Sequence, residues 1–214
     1  MLESALNPTW ELRMESRFSS DNPRVFLAVP FSESFQQGIL GYQAALKARF
    51  KAMHWIPAEN FHLTVKFFGE TQLAKLEGRI LPRLEQLISG KPSFELCFAR
   101  YGWFGSPRQL RVLHLEGEAP GLMELAEAVL KEFPDERPRP FKAHLTLGKG
   151  LKRMEPEDIA ANEEALREWQ RSGPAALGLP GVDICERITR LVLMESVFTG
   201  RAVHYEERVE FSLK

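Results

Sequence analysis

The chain has 214 residues, 44% hydrophobic and 27% charged, with a net charge of −1. That balance suits a soluble globular domain with a sizeable core and gives no overall basic field for nucleic acid or an anionic membrane, so an anionic substrate needs a local basic patch. Two cysteines without Cys-x-x-Cys spacing argue against disulfide scaffolding and a thiolate zinc site, and neither a membrane-length apolar run nor a signal-peptide core is present, so a cytoplasmic protein is expected.

Residues 1–22 are polar, with scattered Trp10 and Leu12, and read as a loosely attached extension preceding one domain over 23–214. Arg24 to Pro30 is a buried strand, and Ser32 is placed to cap a helix whose apolar stripe is Phe35, Ile39, Tyr42, Leu46 and Phe50. A strand from about Phe61 to Phe68 ends at Gly69. Thr71 is then expected to cap a helix carrying Leu73, Leu76, Ile80, Leu84 and Leu87, with Pro82 kinking or stopping it. Phe94 to Phe98 and Arg111 to Leu115 read as strands joined through a turn-rich Gly102 to Pro107 stretch. A helix follows Pro120, with Leu122, Leu125, Val129 and Phe133 in register. The Pro-rich loop Pro134 to Pro140 delivers the chain to a strand from about Phe141 to Gly148. Pro156 suits the first turn of a helix bearing Ile159, Leu166 and Trp169. Gly173 to Gly181 is a connection, and Leu191 to Phe198 with Ala202 to Phe211 form a hairpin turning at Thr199, Gly200 and Arg201. Helices alternate with strands and hairpins, so the expected class is α+β with largely antiparallel sheet.

Two of these strands repeat one another: His62-Leu63-Thr64-Val65 and His144-Leu145-Thr146-Leu147, 82 positions apart. Strand side chains alternate, so each motif presents an imidazole and a hydroxyl on one face and buries two aliphatic residues on the other. A lone His-x-Thr is ordinarily a half-exposed strand; two copies point to a duplicated half-fold that brings two imidazoles to one site. Histidine titrates near neutrality, so an opposed pair can act as base and acid in displacement at phosphorus. The hydroxyls of Thr64 and Thr146 can donate to the non-bridging phosphate oxygens. Such a scheme requires no metal or cofactor, and no His-Glu-x-x-His or other metal-phosphoesterase run is present.

The stretch from Arg137 to Arg153 carries Arg137, Arg139, Lys142, Lys149, Lys152 and Arg153, a basic surface around His144 suited to a phosphate backbone. Lys66, two residues past Thr64, is expected on the same face. Trp55, Tyr101, Trp103 and Phe104 are candidates for base stacking, though core packing suits most of them. His54, His114 and His204 lack a Thr at i+2 and read as structural or surface residues; Cys97 and Cys185 read as small strand residues.

With these motifs the sequence resembles the two-histidine (2H) phosphoesterase superfamily. The stretch Trp55 to Glu70 (WIPAENFHLTVKFFGE) is similar to the RNA 2′,3′-cyclic phosphodiesterases of bacteria and archaea, also described as 2′-5′ RNA ligases. The similarity extends from Arg24 to the C-terminal hairpin. It implies a bilobal fold of two pseudo-symmetric lobes of mainly antiparallel sheet flanked by helices, with a central cleft. It further implies metal-independent opening of a 2′,3′-cyclic phosphate at an RNA end to a 2′-phosphate. Hydrolysis of 2′-5′ oligonucleotides or of another cyclic nucleotide, and RNA-end binding without turnover, are the alternatives. The resemblance points to His62 as general acid and His144 as general base, although pseudo-symmetry leaves the residues themselves silent on the order. It places Thr64, Thr146 and Lys149 on the phosphate, with RNA ends or cyclic nucleotides as partners, no membrane, and a monomer. Three positions depart from the family pattern: Ala143 replaces a Pro, Lys149 an Arg, and His114 a Trp.

Overall fold

A computed structural model of the chain describes residues 17–200 and 202–214. Trp10, Leu12 and Arg201 lie outside the described residues. Strand β1 (Arg24–Pro30) is followed by helix α1 (Glu33–Lys47), the short strand β2 (Met53–Trp55) and the first motif strand β3 (His62–Glu70). Next come α2 (Leu73–Lys75), a π-helical turn (Leu76–Ile80) and α3 (Leu81–Ile88). The long hairpin β4 (Phe94–Ser106) and β5 (Gln109–Glu118) precedes α4 (Pro120–Glu132) and the second motif strand β6 (His144–Gly150). Helix α5 (Pro156–Ser172), edge strand β7 (Ile184–Ile188) and the hairpin β8 (Arg190–Thr199) and β9 (Ala202–Ser212) complete the chain.

The strands form one antiparallel sheet in the order β7-β4-β5-β6-β3-β1-β8-β9, with β2 paired to β6. The motif strands occupy the centre, each followed outward by three strands of its own half. β1-α1-β3 on one side corresponds to β5-α4-β6 on the other, which gives the two pseudo-symmetric lobes. One core runs beneath both lobes and contains Leu27, Leu63, Leu113, Leu115 and Leu145, all fully buried. A smaller cluster of Phe26, Ala28, Val192 and Met194 fills the opposite face of β1 and β8.

Local chemistry explains where the elements follow the sequence pattern and where they depart from it. Ser32 caps α1 by accepting from Phe35 N–H at 3.3 Å. On that helix Gln43, rather than Tyr42, is buried, and its amide donates to Ile56 O at 2.7 Å and Leu147 O at 2.9 Å. Thr71 does not cap a helix: its hydroxyl donates back to Gly69 O, where the chain turns with φ of 73°. Proline 82 neither stops nor ends the helical run. The π turn just before it, with Leu81 N–H donating to Leu76 O, absorbs the missing donor. The Gly102 to Ser106 stretch is strand rather than turn. Gly102 is needed there because a Cβ would lie 2.4 Å from the His114 ring.

The end of the N-terminal extension is docked rather than loose: Phe18 is buried, and Ser19 N–H donates to the buried Glu195 carboxylate at 3.1 Å. Ser19 Oγ donates to the same group, which Arg208 Nε also meets at 2.7 Å. Cys97 and Cys185, read as unpaired strand residues, are joined in a disulfide. They are direct cross-strand partners, and only the unforeseen strand β7 brings the second to the first across 88 residues. Among the described residues, the one side-chain group with metal-ligand spacing is Glu95, Cys97 and Cys185, whose sulfurs are committed to this bond. No described helix is long and apolar enough to cross a membrane.

Gln43 ties α1 to the second motif strand, and Gln43→Leu would leave Ile56 O without its donor, while Leu147 O keeps the Ile56 N–H. We expect a loss of about 1–3 kcal/mol in unfolding free energy, the cost of one unsatisfied buried group, read from urea denaturation.

Candidate active site

The two motif strands are antiparallel neighbours that meet at Leu63 and Leu145. An antiparallel pair has a local two-fold axis at such a point, so His62 faces Thr146 across the joint as Thr64 faces His144. Both leucines are fully buried, worth about 1.5–3 kcal/mol each. A one-residue slip would expose them and bury the histidines, so the core dictates the face on which the imidazoles stand.

A β-bulge follows each motif at the same place. Thr64 pairs with Ala28 but Lys66 with Leu27, skipping Val65. Thr146 pairs with His114 but Gly148 with Leu113, skipping Leu147. The extra residue reverses the alternation beyond it. Lys66 therefore leaves the strand face of Thr64 for the side of Leu27 and is 6% exposed, yet it still reaches the wall of the cavity that Thr64 lines, where it forms an ion pair with Asp135. Phe67 takes the histidine face instead, opposite Phe26, and is 62% exposed. In β6 the same shift brings Lys149 onto the histidine face, opposite Val112. The second bulge is held from behind, since Leu147 O accepts from both Ile56 N–H and Gln43. Trp55 packs on Gly148, where a Cβ would come within 2.8 Å of its ring.

The imidazoles are anchored alike. His62 Nδ1 lies 2.8 Å from Asn60 O, and His144 Nδ1 lies 2.7 Å from Lys142 O. A carbonyl only accepts, so each Nδ1 carries its proton and each Nε2 is the nitrogen free to exchange one. The 3-10 turn Ala58–Asn60 sets the first carbonyl, and Asn60 is itself fixed by donating to Val203 O. His62 Nε2 is 3.1 Å from Thr64 Oγ1, whose hydroxyl donates to the neutral ring.

The surroundings of the two rings differ. His62 lies between Phe26 and Tyr205, with centroids 4.9 and 4.8 Å away. Burial, with smaller contributions from Lys149 and His144, outweighs the Asn60 carbonyl and lowers its pKa to about 4. His144 meets the edge of Phe104 at 5.0 Å and His114 at 5.3 Å. Burial also lowers the ammonium pKa of Lys149.

Thr64 and His144 line a cavity of about 670 Å³, together with Phe67, Phe104, Phe141, Arg111, Arg139 and Lys142. His62 instead lines a separate, smaller pocket with Tyr205 and Asn60. Of the candidate stacking residues only Phe104 reaches the cavity. Trp55 covers Gly148, and Tyr101 is buried edge-on to Tyr42 and Trp169. Phe67 and Phe141 escaped notice because their exposure follows from the bulge and from the Pro-rich loop. His114 is not a surface residue: it is 2% exposed, stacks on Phe104 at 4.2 Å, and adjoins His144. Burial first, then His144 and Lys142, lowers its pKa to about 3. Tyr205, on the distant strand β9, carried no signal in the sequence.

Two half-sheets that meet at paired His-x-Thr strands define a two-histidine phosphoesterase. The family model described as LigT-like phosphoesterase matches residues 29–114, which include the first motif. The RNA 2′,3′-cyclic phosphodiesterase of Methanothermobacter thermautotrophicus is 32% identical over 130 residues, 59% of this chain and 70% of that protein. The protein of the same name from Archaeoglobus fulgidus is 33% identical over 138 residues, 63% of this chain and 76% of its own. In fold, the chain is similar to Escherichia coli LigT complexed with NADP+, with a TM-score of 0.66 at 23% identity, over 91% of this chain and 99% of the other. The chain belongs to the LigT-like phosphoesterase family.

Two neutral histidines, His114 buried and His62 half-buried between aromatic rings, make the fold sensitive to acid. Unfolded, each binds a proton near pH 6.5, whereas His62 and His114 resist protonation until about 4 and about 3. The unfolded state thus binds more protons below pH 6.5, and stability falls as pH drops through that value. The urea midpoint should be lower at pH 5 than at pH 7, and His114→Leu should flatten the difference; equal wild-type midpoints would contradict the assignment.

Proposed function

We propose that the protein hydrolyses 2′,3′-cyclic phosphate ends of RNA to 2′-phosphates by metal-independent acid–base catalysis. The observation that carries this reading is the matched anchoring of His62 and His144, each holding its Nδ1 proton on a backbone carbonyl and keeping Nε2 as the nitrogen that can exchange a proton. The names of the relatives supply the substrate class.

In the proposed reaction, His144 Nε2 takes a proton from water as its oxygen attacks phosphorus. His62 Nε2 gives a proton to the departing O3′, so that the P–O3′ bond breaks and the phosphate stays on O2′. Thr64 and Thr146 donate to the non-bridging oxygens, where the negative charge resides. Lys149 faces the same charge; lysine acts as a point charge without the bidentate fork of arginine. Phe67 and Phe104 offer aromatic surface to the base beside the reacting ribose.

The free protein keeps His62 neutral, so its role as acid depends on the substrate. A phosphate anion against Nε2 favours the imidazolium and offsets both the burial and the repulsion from Lys149. Adenosine 2′-monophosphate should therefore raise the His62 pKa well above about 4 in an NMR titration. A pKa that stays put under saturating ligand would reverse the acid and base assignments.

The direct test is incubation, with EDTA present, of the protein and an oligoribonucleotide ending in a 2′,3′-cyclic phosphate, followed by identification of the product. A 2′-phosphate is expected, and His62→Ala and His144→Ala should each cut the rate by ~10²–10⁴-fold. Either variant acting at the wild-type rate would sink the mechanism. The rate should follow a bell-shaped pH profile whose limbs belong to the pair rather than to single residues. Lys149→Ala should raise KM more than it lowers kcat; a collapse of kcat alone would make Lys149 catalytic.

A further inference from the structure

A second cavity of about 480 Å³ opens between the start of β5 and the end of β6, beside α5. Arg108, Arg111 and Lys152 line it, with no acidic side chain in its lining, and Leu151, Met154 and Ile159 provide apolar wall. Arg111 also lines the cavity that holds Thr64 and His144, so the two spaces meet at one residue. Leu151 is 46% exposed, a large apolar side chain left open beside cations. Arg108 meets Glu163 only through Nε, at 3.5 Å, and its side chain remains 81% exposed.

Cations alternating with exposed apolar surface along a groove are what a single-stranded nucleic acid requires: charges for its phosphates and flat or apolar platforms for its bases. Strand β6 runs from His144 at the first cavity to Gly150 at the second, about 20 Å at ~3.3 Å per residue. That reach covers several nucleotides, far more than one cyclic nucleotide can span. The backbone is bare here as well: a Cβ on Gly150 would come within 2.1 Å of Leu110 O, so β5 and β6 stay close and leave the groove floor to their flanks.

We propose that this groove binds the RNA strand on the 5′ side of the reacting end, so that the enzyme prefers oligonucleotides over mononucleotide cyclic phosphates. The proposal rests on the reading of the site as one that acts on RNA ends. Arg111 carries the strand from the first cavity to the second, and Arg108 and Lys152 hold phosphates further along. An acidic peptide would also meet the cations, but the continuity with the cavity of His144 assigns the groove to the rest of the same substrate.

The test compares the wild type with Arg108→Ala/Lys152→Ala, two exposed positions outside the reacting centre. The probes are adenosine 2′,3′-cyclic phosphate and a 5′-fluorescein hexaribonucleotide ending in a 2′,3′-cyclic phosphate. Binding of the hexamer is read by anisotropy, and turnover of both by chromatography. The double variant should weaken hexamer binding and kcat/KM by about tenfold, and leave the mononucleotide within about twofold, because only the longer chain reaches the lost charges. The slope of log affinity against log salt should fall by roughly 1.4 for the hexamer, at about 0.7 per phosphate contact. Unchanged hexamer binding in the variant would overturn the groove. If the wild type turned over neither probe while the variant still lost hexamer binding, the groove would stand and the catalytic reading would fall.

Discussion

The site depends on a single antiparallel joint, where Leu63 of β3 lies opposite Leu145 of β6. The two lobes have their own strands and helices, and the core beneath them is continuous. What aligns the chemistry is the register of this pair. Side-chain alternation is strict, so burying the two leucines obliges His62, Thr64, His144 and Thr146 to share the opposite face. The local two-fold symmetry of an antiparallel pair then arranges them as two copies of one unit. Few other arrangements bring two identical strand motifs so close with so little sequence; a parallel pairing would have set both histidines side by side at one end.

The bulges at Val65 and Leu147 complete the joint and at the same time break its symmetry. Each reverses the alternation at an equivalent place, so residues five positions after the histidines return to the active face. On β3 that residue is Phe67, and on β6 it is Lys149. A symmetric scaffold thus acquires one apolar flank and one cationic flank, which is what an asymmetric substrate with a base on one side and a phosphate on the other requires. The cost of the second bulge is met by Gln43, whose amide joins Ile56 N–H in satisfying the carbonyl of the skipped Leu147.

How far the sequence revealed this can be traced residue by residue. Strand β1, the cap at Ser32, the stripe of α4 and both motifs rest on local pattern, and the structure places them where the pattern does. The burial of Leu63 and Leu145 follows from strand periodicity alone. The features that escaped are non-local. Lys66 reaches the cavity of Thr64 from the other strand face, because a bulge is a property of pairing with β1, which periodicity cannot see. The length of β4 was hidden by Gly102 and Gly105, which mark close approach and a turn of the backbone rather than an end of the strand. His114 looked isolated because its neighbours, Gly102 and Thr146, come from other strands. The disulfide needed β7 beside β4, a topological fact with no trace in the spacing of two cysteines.

The electrostatics of the free site show why its substrate should be an anion. His62 and His114 are held neutral by burial, and for each a nearby cationic group adds to the effect. Lys149 faces the same cleft, and its ammonium is itself desolvated. Every one of these shifts works in the same direction, against positive charge, because the cleft concentrates cations and imidazoles in poorly solvated surroundings. In the proposed mechanism, a phosphate anion entering between the two Nε2 atoms would oppose the shifts of His62 and Lys149 together. It would stabilise the imidazolium that protonates the leaving group and offset the desolvation of the lysine. Binding and activation are therefore linked in the proposed mechanism: the charge that is recognised is also the charge that protonates the acid, and a neutral ligand of the same shape would fill the cleft without arming it.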